Sequence, residues 1–250
     1  MNKTIKTTKI LTSILAMLMV MAFAQSCSDN DANPLSAEAA LTFKAKTSNS
    51  AIVNGRTQAT GLEFTTILLG MTELELEKEL ADTEIDSLEE EDDDIEIEFE
   101  GAFIVDLVNG TSTPDFGFAS LVPDTYDEIE IEFGPVLPDG NTVFIEFDYT
   151  PEGEVAPLTV QYSNNYELEF ELENAQGIDV PADDITQLIV VLDLDLLFAE
   201  VDLSTASVDQ DGVIRINASS NAAIAAQIAA ALDTAIEGGE DDDDDGEIDD

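Results

Sequence analysis

The strongest constraint on this chain is a two-residue alternation of apolar and acidic side chains. It is cleanest in Ile95-Glu96-Ile97-Glu98-Phe99, Ile129-Glu130-Ile131-Glu132-Phe133 and Leu168-Glu169-Phe170-Glu171-Leu172. Successive side chains of a β-strand point to opposite faces, so each segment turns its apolar set to a core and its acids to water. Leu41-Thr42-Phe43-Lys44-Ala45, Leu74-Glu75-Leu76-Glu77 and Val143-Phe144-Ile145-Glu146-Phe147 follow the same pattern. The apolar run Leu188 to Phe198 reads as a more central strand with Asp193 and Asp195 on a shared face. Val213-Ile214-Arg215-Ile216 reads as a short late strand.

Turn chemistry punctuates these segments at Asn54-Gly55, Asn109-Gly110, Pro138-Asp139-Gly140, Pro151-Glu152-Gly153, Asn164-Asn165 and Asp211-Gly212. Strands with such punctuation and no interleaved helices predict an all-β fold, an antiparallel β-sandwich of about eight strands. One C-terminal α-helix is expected over Ala222 to Ile236, where Ile224, Ile228, Leu232 and Ile236 form a stripe. Ser219 or Ser220 would cap it and Gly238-Gly239 would end it. The stripe then packs on the sandwich or closes one of its ends.

Charge narrows the function. The 250 residues carry 56 Asp and Glu against 8 Lys and Arg. Nucleic-acid binding needs cations that displace counterions from phosphates, so that class is excluded. Two stretches are dominated by acids. Glu84 to Asp94 reads as a solvated hairpin loop, and nine of the eleven residues from Glu240 to Asp250 are acids, which predicts a disordered tail.

The first 27 residues have three zones. Lys3, Lys6 and Lys9 make a positive start, Ile10 to Ala24 is apolar, and Ala24-Gln25-Ser26-Cys27 ends it with small residues around the only cysteine. An apolar run of about 15 residues is short of the roughly 20 that a membrane span needs, but suits the core of a signal peptide. The expected organisation is a signal over 1–26, Cys27 with a flexible tether over 27–40, a domain over 41–237 and an acidic tail over 238–250.

Catalytic material is scarce. The chain has no histidine and no tryptophan, and its one thiol, Cys27, closes the signal-like segment. Ser–His dyads and imidazole metal ligands are therefore excluded, and exposed carboxylates make poor general acids. A non-enzymatic protein with no bound cofactor is expected. Calcium is the one candidate ion: Asp241, Asp243 and Asp245 before Gly246 match the opening of a calcium loop, D-x-D-x-D-G. Its twelfth position would fall beyond Asp250, so weak binding is the most this segment supports. Asp209-Gln210-Asp211-Gly212 looks similar but reads as the turn entering the Val213 strand.

The acidic strand faces raise a conditional. If Glu96, Glu98 and Glu100 lay opposite Glu128, Glu130 and Glu132, like charges would face each other and destabilise the pair. Either those strands are not neighbours, or cations screen them. Tyr149, Tyr162 and Tyr166 are the only closely spaced tyrosines and are assigned to strands and turns.

The Ala24-to-Cys27 segment resembles the lipobox of bacterial lipoproteins, in the loosened form of Bacteroidetes lipoproteins. There the cysteine is diacylated, and acids behind it, here Asp29 and Asp31, resemble the signal for the outer face of the outer membrane. Two acyl chains give stable anchoring. Gly101-Ala102-Phe103-Ile104-Val105-Asp106-Leu107 and Leu121-Val122-Pro123-Asp124-Thr125-Tyr126-Asp127-Glu128-Ile129 resemble a domain of unknown function found in such lipoproteins. That resemblance implies an immunoglobulin- or transthyretin-like sandwich and supplies no activity. The expected function is a lipid-anchored, surface-exposed interaction or structural module whose partner is a protein or glycan. The alternative is a lipoprotein that captures carbohydrate or divalent cations beside an uptake system. A pilin-like building block is a third reading.

Overall fold

Alternation dictates the strands, and two breaks in it shape the sheet. The computed structural model describes residues 37–47, 57–59, 62–78, 95–115, 118–182, 185–241 and 247–248, and the structural statements that follow concern these. They all belong to the unit Ser36–Asp250. The protein is mostly β, as the alternation predicts. It has thirteen strands: β1 (Ala37–Lys46), β2 (Thr57–Ala59), β3 (Leu62–Lys78), β4 (Ile95–Asp106), β5 (Thr111–Thr113), β6 (Phe118–Leu121), β7 (Asp124–Phe133), β8 (Val143–Tyr149), β9 (Leu158–Asn164), β10 (Leu168–Val180), β11 (Ile185–Asp193), β12 (Ile214–Ile216) and β13 (Ile236–Glu240). Two helices, α1 (Leu194–Leu197) and α2 (Ala222–Ala235), complete it.

Each of the expected eight segments contains a strand, although the one in Leu188 to Phe198 ends at Asp193. The additional five are mostly short pieces such as Thr57–Ala59 and Thr111–Thr113, with no alternation to read. A four-stranded sheet runs β13-β11-β1-β6. A nine-stranded sheet runs β10-β7-β3-β8-β9-β12, with β2, β4 and β5 on the other side of β3. Neither sheet is purely antiparallel, which corrects the expectation. β1 pairs with β11 in parallel, and β12 pairs with β9 in parallel. Parallel neighbours cannot be joined by a tight turn, so each pair comes from distant parts of the chain. Leu188 to Leu192 is buried at every position, as a strand covered on both faces should be.

The long β3 organises the large sheet. Its alternation slips at Thr65 and again at Thr72, each a β-bulge that adds one outward residue. Each bulge threonine ties itself to the neighbouring strand: Thr65 Oγ1 donates to the Glu146 carbonyl at 3.2 Å, and Thr72 Oγ1 to that of Glu132 at 3.2 Å. Between the bulges lies Gly70, where β3 changes partners. Leu62 to Leu69 pair with β8, and Met71 to Glu77 pair with β7 on the same side. Gly70 N–H donates to Thr142 O at 2.7 Å, and its carbonyl accepts from Gly134 N–H at 3.0 Å. A Cβ at Gly70 would stand 2.5 Å from Gly134 O, so only glycine fits the junction.

One apolar core joins both sheets and both helices. Phe64, Phe147 and Phe198 form a triangle with ring centroids 5.1 to 5.4 Å apart, fastening the chain after α1 to β3 and β8. Phe198 stands beyond the strand because the Leu188–Phe198 run is not a single strand. β11 ends at Asp193, whose carboxylate accepts from the backbone N–H of Asp195 and Leu196 and opens α1 instead.

The C-terminal helix forms with three of the four residues of its predicted stripe, since Ile236 opens β13 instead. Ile224, Ile228 and Leu232 are buried at its interface, each contributing about 1.5–3 kcal/mol of transfer free energy. Its ends differ from expectation. Asn217 Oδ1 takes the backbone N–H of Ser219 and Ser220, so the serines lie in a turn and Asn221 occupies the cap position. Gly238 and Gly239 do not end the helix; they lie in β13, where a Cβ on Gly238 would stand 3.2 Å from the Phe170 ring of the facing sheet. The strand also carries order to Glu240, past the start of the expected acidic tail at 238.

Candidate functional site

The register of the large sheet aligns its acids. Glu73 lies opposite Glu100 on β4 and Glu132 on β7, and Glu132 lies opposite Glu169 on β10. The next row is Glu98, Glu75, Glu130 and Glu171, and the third is Glu96, Glu77, Glu128 and Glu173. Three rows of four glutamates therefore stand side by side on four adjacent strands. The intervening residues point the other way: Leu74, Leu76, Ile129 and Ile131 are buried, with Ile97, Phe99, Phe170 and Leu172 packed against them. A period of two and a common core face leave the glutamates of the first two rows no other side to occupy.

Strands in a sheet lie about 4.8 Å apart, so facing carboxylates are held at a spacing where like charges repel. The protein answers partly with protons. Burial by its neighbours, a hydrogen bond with Glu98 and the charges of Glu132, Glu98 and Glu100 push Glu73 up to about 7. Glu130 is raised too, by burial first and then by Glu169, Glu75, Glu132 and Glu171. Glu98 reaches Glu73 diagonally, since its direct opposite is Glu75.

The same geometry suits a hard divalent cation. Two oxygens bound to one Ca²⁺ at about 2.4 Å can stand no more than about 4.8 Å apart. One carboxylate oxygen from each of Glu73, Glu98 and Glu100 falls within 4.8 Å of the others. The remaining coordination would come from second carboxylate oxygens and water.

This arrangement resolves the conditional raised by the alternation. β4 and β7 are not neighbours; β3 lies between them and brings Glu73, Glu75 and Glu77 of its own. The Leu74-to-Glu77 alternation identified the strand, but nothing local to it gives its place between the other two. Of the predicted calcium residues, Asp241 is 8 % exposed at the end of β13, with its N–H on Gln187 O at 3.0 Å. Asp243, Asp245 and the lipidation residue Cys27 lie outside the described residues, as does the Glu84-to-Asp94 run. Asp209 to Gly212 forms a turn, as expected, and Arg215 holds both of its aspartates at 2.7 Å. Of the three tyrosines, Tyr149 and Tyr162 lie in strands and Tyr166 is exposed after β9.

No known protein family, curated protein or solved structure matches the chain. Among the described residues, no helix is long and apolar enough to cross a membrane.

Proposed function

We propose that the protein is a lipid-anchored, non-enzymatic interaction module of the bacterial outer membrane whose glutamate face takes up divalent cations. The observation that carries the reading is the three-by-four register of glutamates on β4, β3, β7 and β10. Scattered surface acids confer solubility; acids held in facing rows also raise one another's proton affinity. A divalent cation can relieve that repulsion at neutral pH without protonation. The anchor rests on Ala24-Gln25-Ser26-Cys27 behind an apolar run.

Uptake of Ca²⁺ by a partly protonated face expels protons. Calcium added to the weakly buffered full chain near pH 7 should acidify the solution, and millimolar Ca²⁺ should raise Tm well above NaCl of matched ionic strength. Equal effects of the two salts, with no proton release, would leave only screening and defeat the cation reading. For the anchor, Cys27→Ser should move the protein from the membrane pellet to the soluble fraction. Continued sedimentation of that variant would exclude anchoring through this sulfur.

A further inference from the structure

A second surface, built from other elements than the glutamate rows, has different chemistry. The 3-10 turn Pro138–Gly140, the end of β9 and the loop before α2 enclose a cleft of about 330 Å³. That volume lies at the lower end of the small-ligand range. Most of its lining side chains are amides or hydroxyls, contributed by Asn141, Asn164 and Asn165 and by Asn217, Ser219 and Ser220 across from them. Among the described residues, Asp139 is its one carboxylate, and no Lys or Arg lines it.

Two observations point to a ligand. Asn164 is only 8 % exposed, and its Nδ2 donates to the Tyr162 hydroxyl at 2.8 Å while Oδ1 has no partner. Turning the amide over exchanges the two atoms but leaves one of them without a partner all the same. Buried polar atoms in folded proteins are nearly always paired, so this one leaves hydrogen-bonding capacity unused in a residue that lines the cleft. Beside it, Tyr166 is 53 % exposed and offers a flat aromatic face.

The walls are stiff before any ligand enters. Asn141 Nδ2 donates to Pro138 O at 3.0 Å, and Gly140 N–H to Leu137 O at 3.1 Å. On the facing side, Asn217 Oδ1 fixes the N–H groups of Ser219 and Ser220 at 2.9 Å. Binding here sacrifices little loop entropy.

We infer that this cleft binds a neutral glycan. Amides and hydroxyls both donate and accept, which matches sugar hydroxyls that do the same. A sugar ring also carries an apolar C–H face to lay against Tyr166. Anionic ligands are opposed by Asp139 and by the formal charge of −48 on the whole chain. The glutamate rows take no part, so this site stands or falls apart from the cation reading.

The full chain in a non-glycosidic detergent should be screened on an array of neutral, sialylated and sulfated glycans. Neutral glycans should be retained, with a Kd measured by calorimetry on the best of them. Tyr166→Ala and Asn165→Ala change exposed residues and should melt as the parent does, yet each should weaken binding by about tenfold or more. Tyr166→Phe keeps the aromatic face and should restore most of the affinity, while Glu75→Gln should bind as the parent does. Retention of no neutral glycan, a preference for the acidic ones, or undiminished binding by the Tyr166 and Asn165 variants would each overturn the assignment.

Discussion

The two halves of β3 present one face to solvent and treat their acids in opposite ways. In the half that meets β8, two acids, Glu146 and Asp148, take hydrogen bonds from neutral side chains on adjacent strands. Glu146 Oε2 accepts from Gln161 Nε2 at 2.8 Å and its Oε1 from Thr65 at 3.3 Å, while Asp148 accepts from Thr159 at 3.4 Å. In the half that meets β4 and β7, glutamate faces glutamate in every row. The same fold thus offers amides and hydroxyls to two acids on one half and sets glutamates in continuous facing rows on the other. The glutamate face is set apart by its unbroken rows of facing glutamates, and general acidity does not account for that register.

The largest test removes the junction that keeps the halves distinct. Gly70→Val would drive a side chain into Gly134 O at 2.5 Å and the Val136 side chain at 2.8 Å. Overpacking at a point that both β7 and β8 use should destabilise the protein by about 3 kcal/mol or more in chemical denaturation. A loss below about 1 kcal/mol would mean that the exchange of partners does not depend on close approach here.

A sharper test compares the same chemical change on the two halves. Glu75→Gln with Glu130→Gln removes like charges from the middle row and should raise Tm by about 2–4 °C at pH 7.5, low salt and no divalent cation. Glu146→Gln removes one of two acceptors that are in use, and should lower Tm by about 2 °C. Calcium should stabilise the first variant less than the parent and leave the response of the second unchanged. Shifts of the same sign in both variants would erase the distinction between the halves.

The sequence revealed more of the strands than of their neighbours. Ile95 to Phe99, Ile129 to Phe133 and Leu168 to Leu172 are recognisable because one-sided burial imposes a period of two. β3 was legible only from Leu74, because the bulges at Thr65 and Thr72 break that period twice within 17 residues. Pairing order is set by long-range packing, so nothing local to Glu73, Glu75 and Glu77 shows that they lie between two other acidic strands. The cleft was harder still. Its floor residue Asn164 and its aromatic Tyr166 flank an Asn-Asn turn signal, and the residues opposite, Asn217 to Ser220, are some fifty positions away in the chain.

Acid should sharpen the contrast in a third way. A carboxyl whose folded pKa is raised binds protons more readily in the folded chain than in the unfolded one, so folding is favoured as pH falls through its window. For Glu73 that window runs from about 7 down to its ordinary value of 4.5. Thermal stability at low salt should therefore rise on acidification from pH 8 towards 5, with the calcium response shrinking in parallel. Below pH 4 the sign reverses. Asp211, held down to about 2 by Arg215, and Asp124 and Asp202, lowered by Lys78 and Ser204, stabilise only while ionised. A Tm that falls steadily from pH 8 would show that the glutamate rows carry no strain.

The smallest expected effect lies at the far edge of the donor-matched half. Arg215 on β12 sits opposite Gln161 and bridges Asp209 at 2.7 Å and Asp211 at 2.7 Å. All three side chains are more than a third exposed, where solvent and salt screen an ion pair. Arg215→Gln should lower Tm by no more than about 2 °C at low salt, and by less at high salt. It should leave the calcium response untouched, because its aspartates belong to a turn at one edge of the sheet and the glutamate rows belong to other strands. A strong calcium response gained by that variant would show that freeing two acids anywhere on this chain creates a cation site. The register of β3, β4, β7 and β10 would then no longer distinguish their face from the rest of the acidic surface.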